Sequence, residues 1–365
     1  MSYSLASILA ILVSFQLAFL ATFLLTNKKG NQLSNALLGI LFALIALNLT
    51  DLALQLFDPA LAPLFLAKLN DAFLFVFGPL IYLYTKSIIY SNFRLTLRDL
   101  IHLIPAILVL IIFFLPQESA PATQVQGALP LSVQIYNLIL YLHLFAYYLS
   151  SLSLLKTYRR EIRENYSNLS ERNLSWLAFA INNFGIMILF SLIMTLSPIT
   201  GSPLVISLGL FGILLFIFYF INRVIFKALR QPELFSGIPQ APSRKYASSK
   251  LVHDEAEEIS TQLIKLMSEE RLFLNPDLTL DQLAKRLGYP VKTLSQVINQ
   301  SIEKSFYDFV NEYRIEEAQK LLKNPPDPRM TIQEVMYDVG FSSKSSFNTV
   351  FKKLTGKTPS EFRKS

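Results

Sequence analysis

Two groups of side chains near the carboxyl end of this chain have the chemistry to read a nucleic acid. Lys292, Thr293, Gln296 and Asn299 form one; Lys344, Ser345, Asn348, Thr349 and Lys352 form the other. Steps of three and four residues gather each group on one face of a helix. Amides can bond an adenine edge, lysine can reach guanine or phosphate, and hydroxyls adapt to either. Lys352 and the adjacent Lys353 suit phosphate, a contact that positions without specifying sequence. Any solvated helix face can carry such residues, so their meaning depends on the elements that position them.

Those elements are written twice. Thr279-Leu-Asp-Gln-Leu-Ala-Lys-Arg-Leu-Gly-Tyr289 aligns with Thr331-Ile-Gln-Glu-Val-Met-Tyr-Asp-Val-Gly-Phe341. Each copy opens with a capping box, Thr279 with Gln282 and Thr331 with Glu334. Apolar residues then recur at helical spacing: Leu280, Leu283, Ala284 and Leu287 in the first copy, Ile332, Val335, Met336 and Val339 in the second. Gly288 and Gly340 close the two helices. A second amphipathic helix follows, with Leu294, Val297 and Ile298 inward in one copy and Phe347, Val350, Phe351 and Leu354 in the other. This is a helix-turn-helix repeated. Between the copies, roughly Phe306 to Leu322 predicts a connecting helix of ~25 Å, a scale that sets two reading helices in successive major grooves ~34 Å apart.

Residues 275–365 resemble the DNA-binding domain of AraC/XylS-family transcriptional regulators. The resemblance rests on Phe309-Val-Asn-Glu-Tyr-Arg-Ile-Glu-Glu-Ala-Gln-Lys-Leu-Leu322 and on the run from Thr331 that ends in Gly356-Lys-Thr-Pro-Ser-Glu-Phe-Arg363. It implies an all-helical domain that binds promoter DNA. It places base contacts on Lys292, Thr293, Ser295 and Gln296, and on Ser345, Asn348 and Thr349. Two features depart from the family pattern. Met336 stands where a small residue is usual, and both reading helices lack the usual arginine, so the operator sequence is not legible.

The first two-thirds of the chain has a different character. Overall the protein is 52% hydrophobic and 16% charged, with a net charge of +7. Most of the charge before about residue 225 falls in short clusters between apolar runs. Seven segments are drawn against ~30 Å of hydrocarbon: Leu5–Leu25, Leu33–Phe57, Ala72–Tyr90, Leu100–Leu115, Leu131–Leu155, Leu174–Leu196 and Leu204–Phe226, the fourth the shortest. With the amino terminus outside, Lys28, Lys29, Arg94, Arg98, Arg159, Arg160, Arg163 and Arg172 fall in cytoplasmic loops, and Arg223, Lys227 and Arg230 follow the last segment. Lys68 is nearly alone on the other side. This asymmetry follows the positive-inside rule and sends the carboxyl-terminal domain to the cytoplasm, where DNA is. The first segment lacks a basic stretch before its apolar run and reads as an uncleaved helix rather than a signal peptide. The architecture resembles a bacterial subgroup in which a multi-helix membrane domain is fused to this tail, implying the cytoplasmic (inner) membrane.

Polar residues interrupt the segments at Gln16, Asn48, Asp51, Asn137, His143, Asn182 and Asn183. Interhelical hydrogen bonding accounts for most such residues. Asp51 is the costly one, and with Asn48 and Asn137 it falls in the outer half, where the three are expected to form a signal-sensing pocket for an unknown small molecule or envelope signal.

The expected organisation is all-α: a transmembrane helical sensor over 1–228, a linker over 229–250, an amphipathic connecting helix over 251–272 and a double helix-turn-helix over 273–365. The linker is rich in Pro, Gly and Ser. Val252, Ala256, Ile259, Leu263 and Leu266 then form a stripe of about two heptads, able either to pair two chains or to pack on its own domain. The chain has no cysteine and three scattered histidines, which excludes disulfides and cysteine–zinc sites and leaves no metal cluster and no cofactor motif. No nucleophile–base pair or phosphate loop points to an enzyme. The expected partners are double-stranded promoter DNA, the lipid bilayer, a second copy as homodimer and RNA polymerase. The competing reading is a transporter or receptor whose helix-turn-helix tail only regulates it; it would call for inverted repeats or paired midplane charges, which the sequence lacks.

Overall fold

The structure is a computed structural model, and it describes residues 2–28, 30–90, 92–115, 130–169, 174–196, 202–230 and 253–364. Lys29, Arg172, Val252 and almost all of the expected linker lie outside these residues. Among the described residues the chain forms fourteen α-helices and no strand. They fall into two compact units. One comprises 1–155 and 174–238; the other comprises 156–173 and 239–365.

The first unit contains α1 (Ser2–Thr26), α2 (Gln32–Phe57), α3 (Leu64–Ile89), α4 (Ile104–Phe114), most of α5 (Leu131–Asn165), α6 (Ser175–Leu196) and α7 (Pro203–Arg230). The first helix shows how it is assembled. Ala6, Ala10, Val13, Leu17, Ala21 and Leu24 are buried at steps of three and four, while Leu5, Ile8, Leu12, Phe15, Phe19 and Phe23 are exposed on the other side. Small residues let α1 approach α2 closely, and hydroxyls pin the pair: Ser7 donates to the Ala53 carbonyl at 3.0 Å and Ser14 to that of Ala46 at 2.8 Å. The exposed face is large and apolar. Water would penalise it, whereas hydrocarbon does not.

Among the described residues, six helices are long and apolar enough to cross a membrane: Leu5–Thr26, Gln32–Phe57, Leu64–Ile89, Leu131–Asn165, Ser175–Leu196 and Leu204–Phe226. The fourth drawn segment differs. It forms a 3-10 helix over Leu97–Leu103 and then α4, an α-helix of only 11 residues. A Thr96–Asp99 capping box starts the 3-10 turn, and Pro105 in the first turn of α4 marks where the α-helix begins.

The second unit opens with the end of α5. It continues with α8 (His253–Glu270), a 3-10 turn at Leu272–Leu274, α9 (Leu280–Leu287), α10 (Val291–Gln300), α11 (Phe306–Lys323), α12 (Ile332–Asp338), α13 (Lys344–Thr355) and α14 (Pro359–Lys364). It has two small cores. Ile259, Leu263 and Met267 of α8 join Leu283, Leu294, Val297, Ile298 and Phe309 in one. Ile315, Leu322, Val335, Met336, Phe347 and Phe351 make the other. The apolar stripe of α8 is thus spent inside its own unit. Met336, larger than the family pattern, is fully accommodated at 2% exposure.

Candidate nucleic-acid interface

Each reading helix is held by a local device and a core. The Thr279 hydroxyl accepts from the Gln282 amide at 3.3 Å, and the Gln282 side chain accepts from the Thr279 amide at 3.0 Å. The Thr331–Glu334 box repeats this at 3.1 and 2.6 Å. Gly288 and Gly340 take φ of 75° and 89°, the left-handed geometry that turns the chain into the second helix. Leu294, Val297 and Ile298 anchor α10, and Phe347, Val350 and Phe351 anchor α13. Leu354, expected inward, is 42% exposed: it is the last residue but one of α13, past the reach of the second core.

The expected contact residues differ in exposure. On α10, Lys292, Thr293, Ser295 and Gln296 are half-buried and Asn299 is exposed. On α13, Lys344, Ser345, Thr349 and Lys352 are exposed and Asn348 is half-buried. Their hydrogen bonds are local. Gln296 donates to Gln300, Asn299 to Ser295 and Thr349 to the Ser345 carbonyl, all one turn away on the same helix. Such bonds exchange readily for a base or phosphate partner. Lys353 behaves otherwise. Expected as a phosphate contact, it pairs with Asp308 at 3.1 Å while its side chain stays 61% exposed.

An element that no local pattern announces joins the two helix-turn-helix motifs of this unit. Arg314 of α11 is 1% exposed. Its guanidinium donates to the carbonyls of Phe273 and Asn275 at 2.7 Å each, to the Ser167 carbonyl at 3.2 Å and to the Ser167 hydroxyl at 3.1 Å. Burial pulls its pKa down to about 10, so it stays charged at neutral pH. Ser167 belongs to the segment between α5 and α6. Its amide and hydroxyl both donate to the Leu278 carbonyl, at 3.3 and 2.7 Å, and Tyr166 makes an antiparallel bridge with Thr279. Asn168 donates to the Ser342 hydroxyl at 2.7 Å, in the turn before α13. Arg163 grips Asp308 through both carboxylate oxygens at 3.0 and 2.9 Å. Residues 163–168 therefore touch the start of the first helix-turn-helix, the connecting helix and the turn of the second. A loop that reads in sequence as a mere connector is a working part of this unit.

In the first unit, Asp51 is 5% exposed; Gln55 donates to its Oδ2 at 2.9 Å, while Oδ1 is buried without a hydrogen-bond partner. Asn48 lies one turn away on α2, half-buried, and Asn137 is half-buried on α5. No hydrogen bond joins these three among the described residues. The residue that sequence reasoning missed is Asn70 of α3, 3% exposed with both amide atoms unbonded. Ser34 of α2 meets Ser87 of α3 at 2.9 Å. Counting seventeen residues along each antiparallel helix from that contact reaches Asp51 and Asn70 at one level. Of the other polar residues, Asn183 bonds its own helix at Phe179, His143 meets the Phe75 carbonyl at 2.9 Å and Asn182 is exposed.

Comparison with known proteins agrees with the geometry of the second unit. Residues 283–365 match a family profile described as a helix-turn-helix domain. The Msm operon regulatory protein of Streptococcus mutans is 33% identical over 87 residues, covering 24% of this chain and 30% of that protein. The uncharacterized transcriptional regulatory protein YesN of Bacillus subtilis is 31% identical over 138 residues, covering 36% of this chain and 33% of its own length. Among solved structures, the C-terminal domain of AraT, a response regulator from Geobacillus stearothermophilus, is 28% identical, covering 30% of this chain and 83% of that one at a TM-score of 0.25. The carboxyl-terminal domain is a helix-turn-helix DNA-binding domain of the AraC type, similar to those of proteins named as transcriptional regulators. The chain spans about a third of the length of these two curated relatives.

Proposed function

We propose that this chain is a membrane-anchored, sequence-specific transcription regulator. Its apolar helices hold it in the bacterial inner membrane and respond to a signal, and its AraC-type domain reads promoter DNA in the cytoplasm. The observation that carries the reading is the pair of capped helix-turn-helix units on either side of α11, each turning a row of amide, hydroxyl and lysine side chains outward. Phosphate contacts supply most of the affinity, so binding weakens steeply with salt. Pairing of two copies at adjacent sites raises the effective concentration of each.

The topology follows from charge. An outside amino terminus and a cytoplasmic tail require an odd number of crossings, and six helices meet the length criterion alone. The 3-10 turn from Leu100 and α4 supply the seventh, a short crossing whose rises sum to about 25 Å, with Arg98 left at its cytoplasmic end. Asp51, with Asn70 opposite and Asn48 and Asn137 in the same outer half, is the assigned sensing centre.

The test is to map the full-length protein on its genome and repeat the map with Asn348→Ala/Thr349→Ala. Redistribution or loss of specific sites supports the reading face; unchanged site choice removes it. Reporter fusions that place residue 365 outside the cell would end the regulator reading.

A further inference from the structure

The end of α5 carries a basic row: Lys156, Arg159, Arg160 and Arg163 are exposed at helical spacing, opposite the buried Tyr158 and Ile162. Arg163 is committed, bonded to Asp308 and lying 5.4 Å from the centre of the Tyr307 ring. Arg159 and Arg160 are not held this way. Among the described residues Arg160 pairs with Glu164 alone, at 2.8 Å and 82% side-chain exposure, a contact of little energetic weight.

The location of this row gives it meaning. Arg159, Arg160 and Arg163 line one concave surface with Asn299, at the end of reading helix α10. Arg163 and Leu169 line a second with Thr349, on reading helix α13. The basic segment therefore reaches the outward faces of both reading helices. Where two such helices enter successive major grooves, the strip between them meets the sugar–phosphate backbone bordering the intervening minor groove. We propose that Arg159 and Arg160 contact that backbone, so that the α5–α6 loop is a third element of the DNA-binding surface, extending it beyond the helix-turn-helix domain. The proposal rests on the regulator reading above and names a partner surface that reading does not contain.

Charge argues for contact rather than occlusion. A segment that blocked a DNA-binding face by mimicking DNA would be acidic, whereas this one, with Lys156, Arg159, Arg160 and Arg163 against Glu161 and Glu164, is net positive. Such an arrangement repels itself until an anion arrives. The docking also makes the contact specific in place. Ser167, Asn168 and Arg163 fix the loop to α11 and to the turn before α13, so the two arginines are carried at a constant offset from the reading helices.

The test uses the full chain in phosphatidylcholine nanodiscs and a random-sequence duplex, because backbone contacts need no particular site. Affinity is measured against salt concentration for the unaltered chain, for Arg159→Gln/Arg160→Gln and for Arg159→Lys/Arg160→Lys. Two phosphate contacts predict a log–log slope shallower by about 2 in the glutamine pair and unchanged in the lysine pair. Arg163 is left intact in both, so the loop stays docked. An unchanged slope in the glutamine pair overturns the proposal, as does tighter binding, which would mark the segment as a block. A change seen only when phosphatidylglycerol is added assigns the arginines to lipid headgroups and also overturns it. Absence of any duplex binding by the unaltered chain sinks the regulator reading itself, a distinct result.

Discussion

Replacing Arg314 by methionine should undock the α5–α6 loop while leaving both helix-turn-helix cores packed. Methionine fills the volume of the aliphatic stem but donates nothing. The Phe273 carbonyl then loses its donor outright; the Asn275 carbonyl keeps the Leu278 amide and the Ser167 carbonyl keeps the Asn311 side chain. One buried acceptor without a partner costs about 1–3 kcal/mol, and each of the other charge-assisted bonds, to the Asn275 carbonyl, to the carbonyl and hydroxyl of Ser167 and to the Asn311 side chain, contributes about 1.5–3 kcal/mol. Against this stands recovery of the cost of burying the guanidinium, the same burial that pulls its pKa to about 10. With the recovered burial cost at several kcal/mol, the remainder is on the order of 3 kcal/mol, which for local opening is about a 100-fold rise in exchange. The assay is amide hydrogen exchange on the full chain in nanodiscs. The Ser167 amide, which donates to Leu278, should lose protection by about that factor, while amides in α9 and α13 change little. Arg314→Lys retains the charge but not the guanidinium fork, and should fall between. If protection at Ser167 is unaltered in Arg314→Met, the loop is not held by this arginine and the docking argument is wrong.

Three further predictions use other features of the fold. Gly340→Ala should be far more damaging than Gly288→Ala. A Cβ at Gly340 would stand 2.7 and 2.8 Å from the backbone oxygens of Leu274 and Phe273, whereas nothing lies within 4 Å at Gly288. Both pay about 1–2 kcal/mol for positive φ, but Gly340 adds a backbone clash, so thermal melts should separate the two by several degrees; equal losses would refute the close approach. The Asp308 carboxyl is pushed up by burial, but bonds from Ser305 and Lys353 and the charges of Arg163 and Lys353 outweigh this and hold it below its ordinary 3.8. A depressed folded value means stabilisation complete above the unfolded pKa and lost as pH falls through the folded one, so exchange protection of residues 163–168 should survive to about pH 4 and fail below it. Asp308→Asn should flatten that acid transition; release of the loop between pH 5 and 8 would contradict the assignment. Asp51→Asn replaces a buried carboxyl that has one unbonded oxygen by an amide, and should change reporter output without changing membrane insertion. Unaltered output would remove Asp51 from the sensing centre.

Much of the second unit was legible in the sequence because its devices are local. A capping box joins residues three apart, a glycine closes its own helix, and an apolar stripe repeats every three or four positions, so Thr279, Gly340 and the stripe of α9 declare themselves without reference to anything distant. The outward rows on α10 and α13 followed as the remainder of each helix once its inward face was known. The long apolar helices were equally plain, since length and composition alone define them. The fourth reads in sequence as one continuous run, although it is a 3-10 helix followed by a short α-helix, because hydropathy does not register a Thr96–Asp99 cap or a proline at the start of an α-helix.

Tertiary structure decided the partnerships. Arg314 and Ser167 are 147 positions apart, and nothing near either residue announces the other. Lys353 looks identical in sequence to its neighbour Lys352, yet faces Asp308 because α11 passes on its side of α13. Asn70 stands opposite Asp51 only because Ser34 and Ser87 fix the register of two antiparallel helices. Periodicity says which side of a helix is buried. It does not say against what, because hydrophobic burial is non-directional and the specific hydrogen bonds that choose among neighbours form only after the chain has come together.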